Sequence, residues 1–244
     1  MKMVDLHSHI LPYLDDGARN MSEALSMARI AVDSGITDMV ATPHCERGGI
    51  EEIQNTYRHL GRILEEEGIP LKIHLGMEIF ATPDTARLLS QGQLLTLNGS
   101  RYPLVEFDLL ASGEEETEIL RDVCREGYRP LVAHPERYVF LWQNPEMMNI
   151  WWELGCLFQV NRGSLVGRFG MDAQQMALEM VDRGFATVVA SDAHSCIRRT
   201  PWMEQVGHML RSEFSSGAAL YLLERNPEAI LKNKELLPMD PHWF

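Results

Sequence analysis

The sequence predicts an α/β fold in which seven strand–helix units form a closed or nearly closed barrel, in a single domain. Short β-branched and apolar runs alternate with longer amphipathic runs, which is typical of parallel strands joined by right-handed helical crossovers. The length of 244 residues is that of one domain, or at most two small ones. A doubly wound open sheet is the structural alternative, because periodicity alone does not exclude it.

Seven segments are predicted as strands because each is a short β-branched or apolar run. In chain order they are residues 3–6, 38–41, 71–76, 102–107, 130–133, 157–160 and 186–190. The chain beyond Thr200 has the pattern of helices. We therefore expect a helical tail from about residue 201 and no eighth strand.

Five longer amphipathic stretches between these strands are predicted as helices. They cover residues 22–34, 50–67, 114–126, 145–154 and 171–183. A glycine follows each of them, as is common at helix C-caps, where the backbone turns left-handed. These glycines are Gly35, Gly68, Gly127, Gly155 and Gly184.

Composition excludes several classes of function. Hydrophobic residues make up 45% of the chain and charged residues 23%, the balance of an ordinary soluble globule. The formal charge of −13 repels the phosphates of nucleic acids, so we expect no nucleic-acid partner. No apolar run approaches the roughly 20 residues of a membrane-spanning helix, and no secretory signal is recognisable. The four cysteines are widely spaced, which favours a cytoplasmic protein over a disulfide framework.

Imidazole and carboxylate groups follow nearly every predicted strand, at the edge where barrels of this kind carry their functional groups. The candidates are His7, His9, one of Asp15 and Asp16, His44, Glu78, Glu106, His134, Asp192 and His194. Five of the nine histidines thus fall at one edge. His59, His74, His208 and His242 lie in helix bodies, in mid-strand or in the tail, and are interpreted as structural.

The pattern of these residues indicates metal binding. His7 and His9 share one face of an extended segment because side chains alternate there, and Asp192 and His194 repeat the spacing. Each pair alone is weak evidence for a metal site. The joint pattern of such residues at six strand ends is much stronger evidence. Imidazole and carboxylate suit Zn, Mn, Fe or Ni, and the candidates are too many for one ion. Such a cluster lowers the pKa of a bound water and clamps the oxygens of an in-line displacement at phosphorus.

These residues resemble the PHP superfamily, which is named for its polymerase and histidinol phosphatase members. The opening Asp5-Leu6-His7-Ser8-His9-Ile10-Leu11-Pro12, followed by Asp15-Asp16-Gly17, is similar to the bacterial PHP-type tyrosine-protein phosphatases of capsule and exopolysaccharide clusters. Further matches are Ala41-Thr42-Pro43-His44, Gly76-Met77-Glu78, Ala133-His134-Pro135-Glu136-Arg137-Tyr138, Gly163-Ser164-Leu165 and Ser191-Asp192-Ala193-His194. The resemblance runs from residue 3 to about residue 201 and implies a distorted (β/α)7 barrel of the PHP type.

The resemblance also implies a trinuclear metal centre. The first ion would be held by His7, His9, Glu78 and Asp192, the second by Glu78, Glu106 and His134, and the third by Asp16, His44 and His194. The choice of Asp16 over Asp15 thus comes from the family pattern. Two to three divalent ions are expected, with Mn the family expectation and Fe, Zn, Mg or Co as other possibilities.

Two arginines match positions that such enzymes use to hold phosphate. They are Arg137 and Arg199, and a guanidinium fork fits phosphate oxygens. Arg198 competes with Arg199 for this role, and Arg162 has no assigned role. A proton donor, His44 or a bound water, would assist the leaving phenolate. The implied partner is a phosphotyrosine protein, namely a cognate tyrosine autokinase. The sequence leaves open whether the chain forms a homo-oligomer.

Three alternatives accompany this interpretation. The chain could be a PHP phosphoesterase for histidinol phosphate or a nucleotide, or a metal-binding regulatory protein without turnover. The segment from Cys156 to Arg162 also fits the C-x5-R signature of cysteine-based tyrosine phosphatases. That signature needs a glycine-rich loop around the phosphate, whereas this segment has no glycine between the two residues and is predicted as a strand. We therefore do not expect Cys156 to be a nucleophile.

Overall fold

The computed structural model describes residues 2–45, 49–237 and 239–244. Within these residues the strands form two sheets, one of three strands in the order β1-β2-β3 and one of five in the order β4-β5-β6-β7-β8. The strands are β1 Met3–Asp5, β2 Ile36–Ala41, β3 Lys72–Leu75, β4 Glu78–Phe80, β5 Leu104–Glu106, β6 Leu131–Ala133, β7 Leu157–Asn161 and β8 Val188–Ala190. Each pair of neighbours is parallel, so the predicted α/β class is confirmed.

Helices connect successive strands and fill the C-terminal region. They are α1 Met21–Asp33, α2 Gly49–Glu66, α3 Thr85–Ser90, α4 Glu114–Arg125, α5 Val139–Gln143, α6 Met147–Glu153, α7 Arg162–Leu165, α8 Met171–Asp182, α9 Glu204–Met209, α10 Ser216–Leu220 and α11 Asn226–Leu231. The five predicted helices correspond to α1, α2, α4, α6 and α8. All five predicted capping glycines have a positive φ, between 65° and 99°. The predicted C-caps are therefore confirmed.

The strand count differs from the seven that were predicted, because an additional strand follows the third predicted segment. Residues 71–76 contain β3, which pairs with β2, and the unpredicted β4 follows at once and pairs with β5. The chain therefore passes from one sheet to the other at Gly76 and Met77. A Cβ on Gly76 would lie 2.9 Å from Val40 Cγ1, so only glycine fits this close passage beside β2.

The strand ends at the other edges of the two sheets also meet. An isolated parallel bridge joins Ser8, beyond β1, to Ala193, beyond β8. The backbone N–H of His9 donates to the carbonyl of Ala193 at 2.8 Å, and that of Asp192 donates to the carbonyl of His7 at 2.9 Å. This bridge places the histidines that follow β1 beside the Asp192 segment that follows β8.

Both faces of the strands are buried, as parallel sheets require. One face forms a small apolar cluster that includes Val4, Val40, Leu104, Leu131, Leu157 and Val188. Ile230 and Leu231 of α11 pack onto this cluster. The other face, with Met39, Val105, Val132, Phe158 and Val189, belongs to the larger core that includes the helices. Each such side chain contributes about 1.5–3 kcal/mol through burial. Among the described residues, no helix combines the length and apolarity needed to cross a membrane.

Candidate metal centre

The nine predicted ligand side chains lie together at the carboxyl ends of the strands. Each has a nitrogen–oxygen distance of 3.4 Å or less to another member of the set. Residues separated by more than 180 positions in the chain, such as His7 and Asp192, are neighbours here. The strands position these groups, since parallel strands bring their carboxyl ends to one edge.

Glu78 lies at the middle of the cluster. One carboxylate oxygen, Oε2, lies 3.0 Å from Nε2 of His7 and 3.0 Å from Nε2 of His9. The other, Oε1, lies 3.0 Å from Nε2 of His134. The Glu78 side chain is 2% exposed, so its charge is shielded from water and interacts with these imidazoles directly. A carboxylate shared in this way has the geometry of a bridging ligand.

The electrostatics of the cluster favour bound cations. Burial by itself lowers the pKa of His7, but the carboxylates of Glu78 and Asp192 outweigh it and raise that pKa to about 9. Burial, followed by the nearby Glu78 carboxylate, raises the pKa of Glu106 to about 8. Positive charge therefore stabilises the buried carboxylates, and bound protons provide that charge in the absence of a metal. Divalent cations would provide the same charge, and the imidazole and carboxylate donors suit them.

Asp192 is fixed from both sides. Its Oδ1 lies 3.5 Å from His7 Nε2 and 3.4 Å from His194 Nδ1. Its Oδ2 accepts hydrogen bonds from Asn161 Nδ2 and Arg199 Nη2. Burial acts to raise the pKa of Asp192, but the charges of His7 and Arg199 outweigh it and hold that pKa well below its usual range.

The structure brings together only part of the third ligand group that the resemblance implies. Asp16 Oδ1 lies 3.2 Å from His194 Nε2. His44 Nδ1 lies 3.3 Å from Glu106, and His44 Nε2 lies 3.4 Å from Glu78. Among the described residues, four sets of three have donor atoms that all lie within 4.8 Å of one another: His7-His9-Glu78, His9-Asp192-His194, His9-Asp16-His44 and His44-Glu78-Glu106. His44 therefore lies between the second and third implied groups, and His134 joins the cluster through Glu78 and Glu106.

Asp15 has a role that sequence reasoning missed. Its buried Oδ2 lies 2.7 Å from Nδ1 of His9 and also accepts the backbone N–H of His44 at 3.0 Å. Asp16 is 63% exposed and faces His194 instead. Gly17 is required beside them, because a Cβ there would lie 2.4 Å from the Cβ of His9. The Asp-Asp-Gly run thus orients one histidine with its first residue and offers a candidate ligand with its second.

Gln159 orients the other histidine of the first strand end. Its Oε1 lies 2.8 Å from Nδ1 of His7, so both histidines direct Nε2 at Glu78. Gln159 lies in mid-strand β7, where the period-two alternation places it on the same face as Asn161. That alternation is the signal from which its direction could have been predicted.

The two predicted phosphate-binding arginines lie against one aromatic ring. The guanidinium carbon of Arg137 is 4.4 Å from the ring centre of Phe169, and that of Arg199 is 5.7 Å away. Arg137 Nη1 also lies 3.7 Å from Asp192 Oδ2. Phe169 packs on Gly163, where a Cβ would lie 2.5 Å from the ring carbon Cε2. This contact explains why the family motif has a glycine at position 163.

The other two arginines differ from these in position. Arg198 is exposed, and its carbonyl accepts a hydrogen bond from Arg168 Nη1. Arg162 is buried, burial lowers its pKa, and its Nη1 donates to the carbonyl of Trp202 at 2.9 Å. Of the two competitors, Arg199 is therefore the one that reaches the cluster, whereas Arg162 fixes the backbone that follows the site.

Two members of the cluster have strained backbones. His134 has a φ of 35° and Asp192 a φ of 50°, the left-handed region that non-glycine residues seldom occupy. His134 directly follows β6, and Asp192 lies two residues beyond the end of β8. Outliers of this kind are concentrated at functional sites, where the surrounding structure holds them in place.

Cys156 lies away from this centre. It precedes β7, whose other end carries Asn161, and it is 1% exposed within the apolar core. The following residues form a strand and not a phosphate-binding loop. The predicted strand is therefore confirmed, and the segment lacks the loop that the C-x5-R signature needs.

Known proteins resemble this chain along nearly its whole length. The model of a family described as capsular polysaccharide synthesis, CpsB/CapC, matches residues 3–232. Tyrosine-protein phosphatase YwqE of Bacillus subtilis is 34% identical over 98% of this chain and 95% of its own. Tyrosine-protein phosphatase CpsB of Streptococcus pneumoniae is 29% identical over 95% of this chain and 99% of its own.

A solved structure agrees with these relatives. One chain from the crystal structures of YwqE from Bacillus subtilis and CpsB from Streptococcus pneumoniae, described as unique metal-dependent tyrosine phosphatases, superposes with a TM-score of 0.93. The superposition covers 99% of both chains at 33% sequence identity. The resemblance predicted from the motifs is therefore confirmed.

Proposed function

The chain belongs to the CpsB/CapC family of capsular polysaccharide synthesis, and on this premise we propose that it is a metal-dependent protein-tyrosine phosphatase. The proposed reaction is the hydrolysis of a phosphotyrosine monoester. The single observation that carries the proposal is the position of Glu78, which lies 3.0 Å from three imidazoles at a site edged by Arg137 and Arg199. Buried cation ligands beside guanidinium forks are suited to a phosphoryl group.

Two to three divalent ions, with Mn as the expected metal, are proposed as the cofactor. The donor set fits such ions, because it joins imidazoles with carboxylates that bury excess negative charge. The proposed ligands are His7, His9, Asp16, His44, Glu78, Glu106, His134, Asp192 and His194. When bound, the ions would supply Lewis acidity and lower the pKa of a water molecule.

The chain's own residues bind and orient the phosphoryl group in this proposal. Arg137 and Arg199 neutralise its oxygens, held in position by Phe169 and, for Arg199, by Asp192. His44, whose side chain is 21% exposed, lies at the open edge beside Glu106. The departing phenolate oxygen would take its proton from His44, or from a bound water where His44 itself serves as a ligand. Phenolate is a good leaving group, so this proton transfer contributes less than the electrostatic stabilisation.

We also propose that the two sheets are parts of one distorted barrel of seven strand–helix units, in a single domain. The Ser8–Ala193 bridge and the passage of the chain from β3 to β4 support this arrangement. In such a barrel the strand ends form a ring, which explains how ligands from β1 to β8 reach one centre.

The proposed substrate protein is a cognate tyrosine autokinase, acted on in the cytoplasm. Relatives named tyrosine-protein phosphatases and a family named for capsular polysaccharide synthesis support this partner. The formal charge of −13 argues against nucleic acid as a partner. The same relatives do not favour histidinol phosphate, a nucleotide or a role without turnover.

The decisive experiment combines elemental analysis with a phosphatase assay on a phosphotyrosine peptide. We expect metal in the purified protein, loss of hydrolysis after chelation, and recovery when Mn is added. His7→Ala should abolish turnover, while Cys156→Ser should retain it. Hydrolysis that survives chelation, or that requires Cys156, would overturn the proposal.

A further inference from the structure

A cleft of about 680 Å³ opens beside the candidate metal centre. Glu106 and Arg137 line it where it meets the centre, and four aromatic side chains, Phe80, Phe107, Trp142 and Phe169, form much of its wall. Leu110, which is 80% exposed, lies at its edge. The cleft thus joins a charged inner end to an apolar, aromatic outer part.

The strand register places Phe80 next to the charged groups. Phe80 in β4 is the direct parallel partner of Glu106 in β5, so the two side chains extend to the same face of the sheet. Phe80 is nevertheless 57% exposed and does not belong to the core clusters. A large apolar side chain held in water beside a polar centre is available to a ligand.

One open side of the centre leads into this cleft. His7, His9 and Glu78 close the inner side, with exposures of 0 to 2%. Glu106 and Arg137 stand at this open side, with side-chain exposures of 17% and 19%. Asp16 and Arg199 stand at another, with side-chain exposures of 63% and 30%. A phosphoryl group held by Arg137 would direct its ester oxygen and leaving group out through the first of these sides, past the aromatic walls.

We propose that this cleft receives the aromatic ring of the phosphotyrosyl residue, and that Phe80, Trp142 and Leu110 select phosphotyrosine over phosphoserine. This inference rests on the proposed phosphatase function. A flat ring gains edge and offset-stacked contacts with aromatic walls, which a serine side chain lacks.

A second cleft, of about 410 Å³, shares Phe80 and Glu106 with the first. Its other lining includes His44, Cys45, Met77 and Leu94. Among its described lining residues there is no arginine and no aromatic side chain besides Phe80 and the His44 imidazole. The larger cleft has Arg137 at its inner end and three further aromatic rings, so it is the better of the two sites for the phenyl group.

The test compares variants that alter one cleft or the other. Trp142→Leu and Leu110→Ser change only the larger cleft, Leu94→Ala changes only the smaller one, and Phe80→Ala changes both. Steady-state kinetics are measured on a phosphotyrosine peptide and on the phosphoserine peptide of the same sequence. Thermal melting of each variant verifies that it is folded.

We expect kcat/KM for the phosphotyrosine peptide to fall about tenfold in Phe80→Ala and Trp142→Leu, mainly through KM, with a smaller fall in Leu110→Ser. The phosphoserine rates and inhibition by inorganic phosphate should change less than twofold. Equal losses on both peptides, or a raised KM in Leu94→Ala alone, would overturn the inference.

A binding measurement separates this inference from the proposed function. The probe is a non-hydrolysable benzylic phosphonate, compared with an alkyl phosphonate by calorimetry on the metal-loaded protein. Weaker binding of the benzylic compound alone in Phe80→Ala and Trp142→Leu supports the cleft even if the wild-type chain hydrolyses no phosphotyrosine. Unchanged binding in those variants would refute the cleft while leaving the phosphatase activity standing.

Discussion

The Asp15 carboxylate lies 2.7 Å from Nδ1 of His9 and thereby determines which ring nitrogen of that histidine faces the centre. The same oxygen accepts the backbone N–H of His44 at 3.0 Å, so one carboxylate orients two of the candidate ligands. Groups that bind the far nitrogen of a ligand histidine commonly raise its basicity and fix its ring.

We expect Asp15→Asn to weaken metal binding about 10- to 100-fold, the range for loss of such a partner. The change keeps the shape of the side chain but removes the charge that pairs with His9. Titration of the metal-free variant with Mn²⁺ measures the affinity. Asp33→Asn, at an exposed acid near the end of α1, is the control and should bind as the wild type does. Equal affinity in both variants would contradict an orienting role for Asp15.

Asn161 connects a helix cap to the centre. Its Oδ1 accepts the N–H of Gly163 at 2.8 Å at the start of α7, while its Nδ2 donates to Asp192. We expect Asn161→Ala to lose about 1 kcal/mol of stability as a missing cap, and in addition at least tenfold in kcat/KM because Asp192 loses a donor. Chemical denaturation and phosphotyrosine kinetics measure the two effects.

The matched control for that variant is another cap, far from the centre. Ser215 caps α10 by accepting the N–H of Ala218 at 2.9 Å. Ser215→Ala should therefore cost similar stability and leave kcat/KM unchanged. A parallel loss of activity in both variants would mean that stability alone explains the effect of Asn161.

Gly163 allows Phe169 to lie against the two arginines. We expect Gly163→Ala to displace the ring, because the new Cβ would lie 2.5 Å from Phe169 Cε2. Loss of the stacking on Arg137 should raise the inhibition constant for inorganic phosphate about two- to tenfold. Gly61→Ala is the control, since its Cβ would meet only Ile73 Cδ1 at 3.7 Å within α2. That variant should keep its phosphate affinity and gain about 0.5–1 kcal/mol of stability.

Metal removal should change stability as well as activity. Ions that bind only the folded chain stabilise it by about 2.7 kcal/mol at a hundredfold excess over Kd. Melting curves with and without Mn²⁺ should show a clear upward shift of Tm for the wild-type chain. Glu78→Gln removes the carboxylate shared by three imidazoles and should abolish most of that shift. The same shift in both proteins would place the stabilising ion elsewhere.

Local pattern was sufficient to predict which side chains gather at the centre. The two-residue spacing of His7 and His9, and of Asp192 and His194, has a direct geometric meaning in extended backbone. The roles of Asp15 and Gln159 could not be predicted in the same way. Gln159 contacts His7 across 152 positions of the chain, and only the folded arrangement of β1 and β7 brings them together.

The additional strand β4 escaped prediction for a related reason. Residues 71–80 contain two strands that pair with different neighbours, and Gly76 alone marks the change. Which neighbour a strand pairs with is decided by tertiary packing, here by the space beside Val40. The β-propensity of the segment does not determine it. The short α3, α5 and α7 were missed because four to six residues are too few to show a helical period.

The left-handed backbones of His134 and Asp192 lower the stability of the fold at two residues that the proposed activity needs. Each such residue costs about 1–3 kcal/mol, which a glycine at the same position would relieve. Random variants of the metal-free chain, screened for heat resistance without a phosphatase assay, should therefore tolerate glycine at both positions and lose the centre. The two residues mark the part of the chain where selection for catalysis and selection for robustness act in opposite directions.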